Sequence, residues 1–267
     1  MKKILFRLVF LLLPLNASAQ TGMEIMKKVD EQQNVAYEET ELKFLVIDKS
    51  NLKRERTMLR YYSMANGGVQ QKILFMLKAP PDLRGTGLLT FKGRDGANEN
   101  NVEQWLYLPE LKKTRKIVAQ KRSKYFIGTE FTYEDMGGTR AEDGTHALLR
   151  TENFSGTDCF VIETLPRGTN SGYSKLVFWV DQKRYVLRQV LFYDKQGMLL
   201  KTMETQQLVE VPIKSLIKSD FKYWRYDKMT LKNVQTQKVT LVEVLSRKLS
   251  DKLRDEVFQT RFMENGI

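Results

Sequence analysis

Three runs in the second half of the chain, Leu176 to Val180, Tyr185 to Tyr193 and Met198 to Leu208, alternate apolar and polar residues. They are separated only by Asp181-Gln182-Lys183 and Asp194-Lys195-Gln196-Gly197. Connections so short, built on aspartate and glycine, cannot hold a crossover, and they join neighbouring strands antiparallel. A chain with such a meander is committed to an antiparallel sheet, so every other segment must either extend that sheet or cover it.

Most of the chain extends it. Alternation recurs from Glu41 to Ile47, Lys53 to Met64, Gln70 to Lys78, Leu88 to Lys92, Leu148 to Phe154, Cys159 to Leu165, Asp220 to Tyr226 and Lys238 to Leu245. Asn66-Gly67-Gly68, Gly137-Gly138 and Glu142-Asp143-Gly144 read as turns, and Gly93 to Asn101 as a surface loop. Pro80 and Pro81 interrupt the sheet, since neither can donate a ladder hydrogen bond. Two stretches have helical spacing instead. Met23, Ile25, Met26 and Val29 mark Gly22 to Gln32, while Leu253, Val257 and Phe258 mark Ser250 to Phe262, with Ser250-Asp251 as the cap. About eleven strands and two or three short helices, with no repeat and no linker, predict one β-rich domain over 20–267. A sheet this large curls as its twist accumulates, so a half-open antiparallel barrel with a helix across its mouth is the expected shape.

The first nineteen residues predict the compartment. Lys2, Lys3 and Arg7 precede a short apolar run, Leu8 to Leu15, that ends at Ala17-Ser18-Ala19, the pattern of a cleavable secretory signal peptide over 1–19. No cysteine follows at the cut, so a lipid anchor is not expected and the periplasm is. Loss of those three cations lowers the formal net charge from +12 to +9. In an exported chain that basic balance points to anionic membrane or acidic partners, not to nucleic acid. Cys159 is the sole cysteine and lies in the strand-like Asp158-Cys159-Phe160-Val161-Ile162, so it reads as a core thiol and no intrachain disulfide can form.

Catalytic patterns are sparse. With one histidine, His146, no histidine-based zinc site has ligand spacing, and no Gly-x-Ser-x-Gly elbow accompanies it; an exposed strand-edge histidine is the expectation. The glycines from Gly85 to Gly96 lack the Gly-Lys-Ser/Thr ending of a phosphate loop. Glu130, Glu134 and Asp135 could form an acid-base pair. In an extended segment, however, Phe131 and Tyr133 would alternate with them as one half-buried strand, which is the preferred reading. No enzyme, metal or cofactor is expected.

The stretch from Val102 to Met136 is the least ordinary. The aromatic run Trp105-Leu106-Tyr107-Leu108 breaks at Pro109 and passes into Lys112, Lys113, Arg115, Lys116, Lys121, Arg122 and Lys124. It ends in Gly128-Thr129-Glu130-Phe131-Thr132-Tyr133-Glu134-Asp135. The pattern Trp-x-Tyr-x-Pro-x-Leu-x-Lys-x-Arg, followed by Gly-Thr-acidic-Phe-Thr-Tyr-Glu-Asp, resembles the bacterial outer membrane lipoprotein-sorting proteins, relatives of the periplasmic carrier LolA. Glu130 stands where the family carries aspartate.

The resemblance implies a LolA-like unclosed barrel of about eleven strands, with short helices lidding a concave apolar face. It implies binding of lipid or lipoprotein acyl chains without turnover. Moving a methylene into water costs about 0.8 kcal/mol, so a lipid with two or three chains faces a barrier of tens of kcal/mol and needs an apolar carrier. Large apolar residues on alternating strands, Phe44, Met76, Trp105, Tyr107, Phe131, Tyr133 and Trp179, are the candidate cavity. The seven basic residues from Lys112 to Lys124 are either a solvated loop or a cationic rim that docks on an anionic membrane surface, a transporter or an acceptor. A monomer is expected, and the alternative to a carrier is an accessory subunit of an envelope lipid exporter of the RND/MMPL type.

Overall fold

The computed structural model describes residues 20–64, 69–93, 101–212, 222–250 and 252–266. The expected 1–19 leader, the expected turn at Asn66-Gly67-Gly68, most of the expected Gly93–Asn101 loop, Asp220 and Asp251 lie outside the described residues.

The chain opens with α1 (Gly22–Gln33), started by a reciprocal cap in which Thr21 Oγ1 accepts from Glu24 N–H and Glu24 Oε2 from Thr21 N–H. Six strands follow: β1 (Tyr37–Ile47), β2 (Lys53–Met64), β3 (Gln70–Ala79), β4 (Gly87–Lys92), β5 (Val102–Leu108) and β6 (Lys113–Lys116). A central stretch, 117–143, contains the one-turn helix α2 (Tyr133–Met136). Seven more strands come after it: β7 (Gly144–Phe154), β8 (Thr157–Pro166), β9 (Lys175–Asp181), β10 (Leu187–Tyr193), β11 (Leu199–Val211), β12 (Tyr223–Asn233) and β13 (Val239–Ser250). The last element is α3 (Thr260–Asn265).

All thirteen strands form one antiparallel sheet in the order β6-β5-β4-β3-β2-β1-β13-β12-β11-β10-β9-β8-β7. Among the described residues thirteen strands rather than about eleven are present, and β6 is the clear addition: Lys113–Lys116 pair with β5 although their composition reads as loop. The predicted hairpin chemistry is there. Asp181 Oδ1 accepts from the N–H of Lys183 and Arg184, Asp194 Oδ1 from those of Gln196 and Met198, and Gly197 takes φ +78°.

The strand order dictates the shape. β6 and β7 are consecutive strands yet form opposite edges, so the central stretch must cross the sheet. Laid flat, twelve strand spacings would separate those edges by nearly 60 Å at about 4.8 Å each. Instead the rims approach each other: Lys92 on β4 donates to Gly138 O (2.8 Å) and pairs with Asp143, one residue before β7. No strand pairing joins β6 to β7, so the barrel is unclosed.

Alternation sorts the side chains onto two faces. The inner face holds two apolar clusters, one around Leu42, Phe44, Met58, Phe75 and Phe126, the other around Ile162, Phe178, Val190 and Leu231 beneath α1. Phe131 packs against both. The outer face is apolar too: Leu74, Met76, Leu89 and Tyr107 are covered by Val257, Phe258 and Met263 of the C-terminal segment. That segment is not the helix expected from Ser250 to Phe262, because β13 runs on to Ser250 and only Thr260–Asn265 is α-helical. Val257, at the end of a single 3-10 turn (Asp255–Val257), and Phe258 are apolar because they cap the outer sheet, a role that produces helical spacing without an α-helix.

Candidate functional site

The inner face carries an open-sided cavity of about 250 Å³ between β1, β2, β12, β13 and the central stretch. Its apolar wall is Leu42, Phe44, Phe75, Phe131, Met136, Met229, Val242 and Val244, and its charged wall includes Glu38, Arg60, Arg225, Asp227 and Arg247. A second, smaller recess of about 140 Å³ sits between the two rims, where Lys92, Gln104, Arg122, Glu134 and Ser171 join apolar residues such as Val102, Leu176 and Phe192.

The central stretch forms one wall of the larger cavity, and polar contacts hold it in place. Thr132 Oγ1 and Asp135 Oδ2 cap α2 reciprocally. Asp135 also accepts from Tyr173 O–H (2.8 Å) and pairs with Lys201 on β11, whose side chain is 0 % exposed. Lys201 donates as well to Glu130 O at 3.2 Å and lies over the Tyr173 and Phe192 rings. Glu134 accepts from Ser171 O–H and Gly172 N–H, Glu130 from Asn233 Nδ2. Burial raises the carboxyls of Glu130 and Glu134 above their ordinary range despite these donors. Glu130 to Asp135 is therefore not the half-buried strand expected from its alternation. The Thr132-x-x-Asp135 cap turns the chain into α2, and the three carboxylates bind separate partners as anchors.

Two of the seven candidate cavity residues, Phe44 and Phe131, come together on the cavity wall, ring centroids 5.7 Å apart. Tyr133 lines the rim recess and packs on Phe126. Met76, Trp105 and Tyr107 lie on the outer face with the C-terminal segment, and Trp179 on the outer face with Cys159 and Val161. The correction has a simple cause: both faces of this sheet are apolar, so strand alternation separates two sets of residues without telling which set faces inward.

Of the basic residues, Lys112, Lys113, Arg115, Lys116, Lys121 and Lys124 are exposed, with the exposed Leu111, Val118 and Tyr125 among them. Arg122 is not part of that rim; it turns inward to Val102 O and lines the recess. His146 lies on the edge strand β7 but is half-buried, not exposed. Its Nε2 donates to Ala141 O (2.6 Å) and Nδ1 accepts from Thr164 O–H (2.7 Å), and burial lowers its pKa. Cys159 is a buried core thiol pushed up to about 11 by desolvation. Among the described residues, no group of three His, Cys, Asp or Glu side chains could hold a metal ion, and no helix is long and apolar enough to cross a membrane.

Sequence reasoning missed the charged wall. Glu38 pairs with Arg225 at 2.9 Å, Arg60 at 3.4 Å and Arg247 at 3.5 Å, and Arg225 Nη1 also donates to Gln32 O at the end of α1 (2.6 Å). Burial alone would raise the Glu38 carboxyl, but the three guanidiniums outweigh it and hold it down at about 2. A polar residue at every second position of Glu38-x-Thr40 before Leu42-x-Phe44 is the only local signal of that wall.

Comparison with known proteins bears on the same geometry. A family model described as "-like: Uncharacterized protein" matches residues 69–265. No curated protein matches the chain. Among solved structures, a protein domain from Vibrio parahaemolyticus named for outer membrane lipoprotein sorting is 30% identical, with a TM-score of 0.80, covering 91% of this chain and 98% of its own. A DUF1329 family protein from Desulfovibrio piger is 20% identical with a TM-score of 0.81, covering 91% and 97%. A LolA superfamily protein from Nitrosomonas europaea, 20% identical with a TM-score of 0.68, covers 91% and 100% and shares the fold.

Proposed function

The chain belongs to the family of outer membrane lipoprotein-sorting proteins, and on that premise we propose that it is a periplasmic carrier that shelters acyl chains of a lipid or lipoprotein and breaks no bond. The observation that carries this reading is the inner-face cavity, apolar along β1 and β13 and closed on one side by a central stretch fixed through side-chain contacts rather than strand pairing. At about 250 Å³ it lies just below the roughly 300–1,000 Å³ of small-molecule pockets, room for part of one chain while the wall is shut. Outward movement of 126–136 would expose Phe44, Phe75 and Phe126 and enlarge it without breaking the sheet ladder.

The exposed cations around β6 support docking on an anionic membrane surface or an acidic partner, each worth about 1 kcal/mol near such a surface. Their placement on an edge strand also discourages pairing with another sheet. Native mass spectrometry of the purified protein tests the carrier reading. Co-purified lipid, or uptake of lipid after stripping, is the expected result. Protein that neither retains nor takes up lipid would favour an accessory subunit of an envelope lipid exporter.

A further inference from the structure

The cavity has two chemically different ends, and a sheath for hydrocarbon needs only one of them. Pairing across β2, β1 and β13 sets the inner side chains in rows: Arg60–Thr40–Arg247, then Met58–Leu42–Val244, then Arg56–Phe44–Val242. Successive rows are about 7 Å apart, two residues along a strand. Arg225 joins the first row from β12. Arg56 is buried outside the cavity lining, so the arginines that line the cavity, Arg60, Arg225 and Arg247, are gathered at one end of an apolar trough, the arrangement that suits an amphiphile.

Charge matching within that end is incomplete. Three guanidiniums, of Arg60, Arg225 and Arg247, face two carboxylates, Glu38 and Asp227, the latter 2.8 Å from Arg247 Nη1. The side chains of Arg225 and Arg247 are only 7% and 10% exposed; Arg225 Nη2 has no hydrogen-bond acceptor, and Arg247 Nε meets Glu38 only at 3.5 Å, too long and poorly aligned for a hydrogen bond. A buried N–H left without an acceptor is costly, more so on a charged group. A cluster serving stability alone would be better matched, or replaced by apolar side chains.

We infer that Arg60, Arg225 and Arg247 are the head-group seat of the cavity, accepting the phosphate of an anionic amphiphile whose tail runs along Leu42, Phe44, Val242 and Val244. This rests on the carrier reading above. A phosphate offers several acceptor oxygens to the unmatched guanidinium N–H groups, and the planar fork of arginine suits it. Glu38 holds the three arginines in place in the empty protein and competes with the incoming head. Arg225 also holds the Gln32 carbonyl near the end of α1, so an occupied seat pulls on the end of the helix that covers the neighbouring cluster.

The test is calorimetric titration of the purified protein, stripped of lipid, with a lysophosphatidic acid, the monoacylglycerol of the same chain, and inorganic phosphate. The lysophosphatidic acid is expected to bind about tenfold more tightly than the monoacylglycerol, and Arg247→Gln to reduce that preference to about twofold. Glu38→Gln moves the other way, tightening the phosphate lipid by about tenfold, so a loss of fold cannot imitate the pair of results. Equal affinity for the two lipids, or a preference unmoved by both substitutions, overturns the inference and leaves the carrier reading intact. Inorganic phosphate bound as tightly as the lysolipid overturns it too, in favour of a free-anion site. If neither lipid binds, the carrier reading fails as well.

Discussion

Replacing Lys201 with methionine removes the cation paired with the buried carboxylate of Asp135 and keeps the volume of the side chain nearly unchanged. Lys201 is fully buried, and the Asp135 side chain is 9 % exposed, so solvent cannot substitute for the lost charge. Breaking a buried pair by deleting one partner costs about 3–5 kcal/mol. Two donors remain to Asp135, the Tyr173 hydroxyl at 2.8 Å and the Thr132 N–H at 2.7 Å, which places the expected loss at about 3 kcal/mol, the lower end of that range. For a chain of this size that is a fall of roughly 6–12 °C in Tm. Urea unfolding should show a lower midpoint with an unchanged slope, and the double variant Lys201→Met/Asp135→Asn should recover most of the loss, since the stranded charge is then gone. A single variant within about 1 kcal/mol of the parent, or a double variant no better than the single, would refute the claim that this pair anchors the wall of the cavity.

The two faces of the sheet should respond differently to substitution. Val244→Trp, which fills the cavity beside Leu42, should abolish lipid uptake at little cost in stability, whereas Met76→Ala on the outer face should cost about 2–5 kcal/mol and leave uptake intact. Calorimetric binding and denaturant unfolding measured on both variants check this, and a reversal of the two outcomes refutes it. Asp30 on α1 accepts from Ala141 N–H, and burial raises its carboxyl to about 7. The folded protein then binds a proton that the unfolded chain has released, so stability falls as pH rises from about 4 to 7. Asp30→Asn should remove that slope, and unfolding free energies at pH 5 and pH 8 that decline equally in both proteins would refute it. Lys113→Glu/Arg115→Glu should weaken sedimentation with anionic vesicles by about tenfold or more at low salt, the effect shrinking as salt rises, with neutral vesicles as the control.

Local features of this fold were legible in the sequence and convergent ones were not. β2 runs over Lys53–Met64, the bounds its alternation predicts, and the turns at Asp181 and Asp194 form because each aspartate accepts backbone N–H groups within four residues. Such interactions are written in adjacent letters. The inward direction of the sheet is set instead by which cover packs where, so Met76, Trp105, Tyr107 and Trp179 could not be told from Phe44 by spacing. The α2 cap, Thr132-x-x-Asp135, was written locally but was masked by the alternation of Phe131 and Tyr133. Glu38, Arg60, Arg225 and Arg247 come from four strands, two of them some 190 residues beyond the others, and only the tertiary fold gathers them.

The seam at β1 has a consequence for how the molecule is made. β1 takes one neighbour, β2, from the adjacent hairpin, but its other neighbour, β13, is separated from it by nearly the whole chain. Until that last strand arrives, Tyr37 to Ile47 presents an open backbone edge while the residues destined for the trough stand uncovered. Such long-range closure is slow and leaves the nascent chain adhesive, so this protein should need a holding chaperone during maturation and should refold poorly at high concentration.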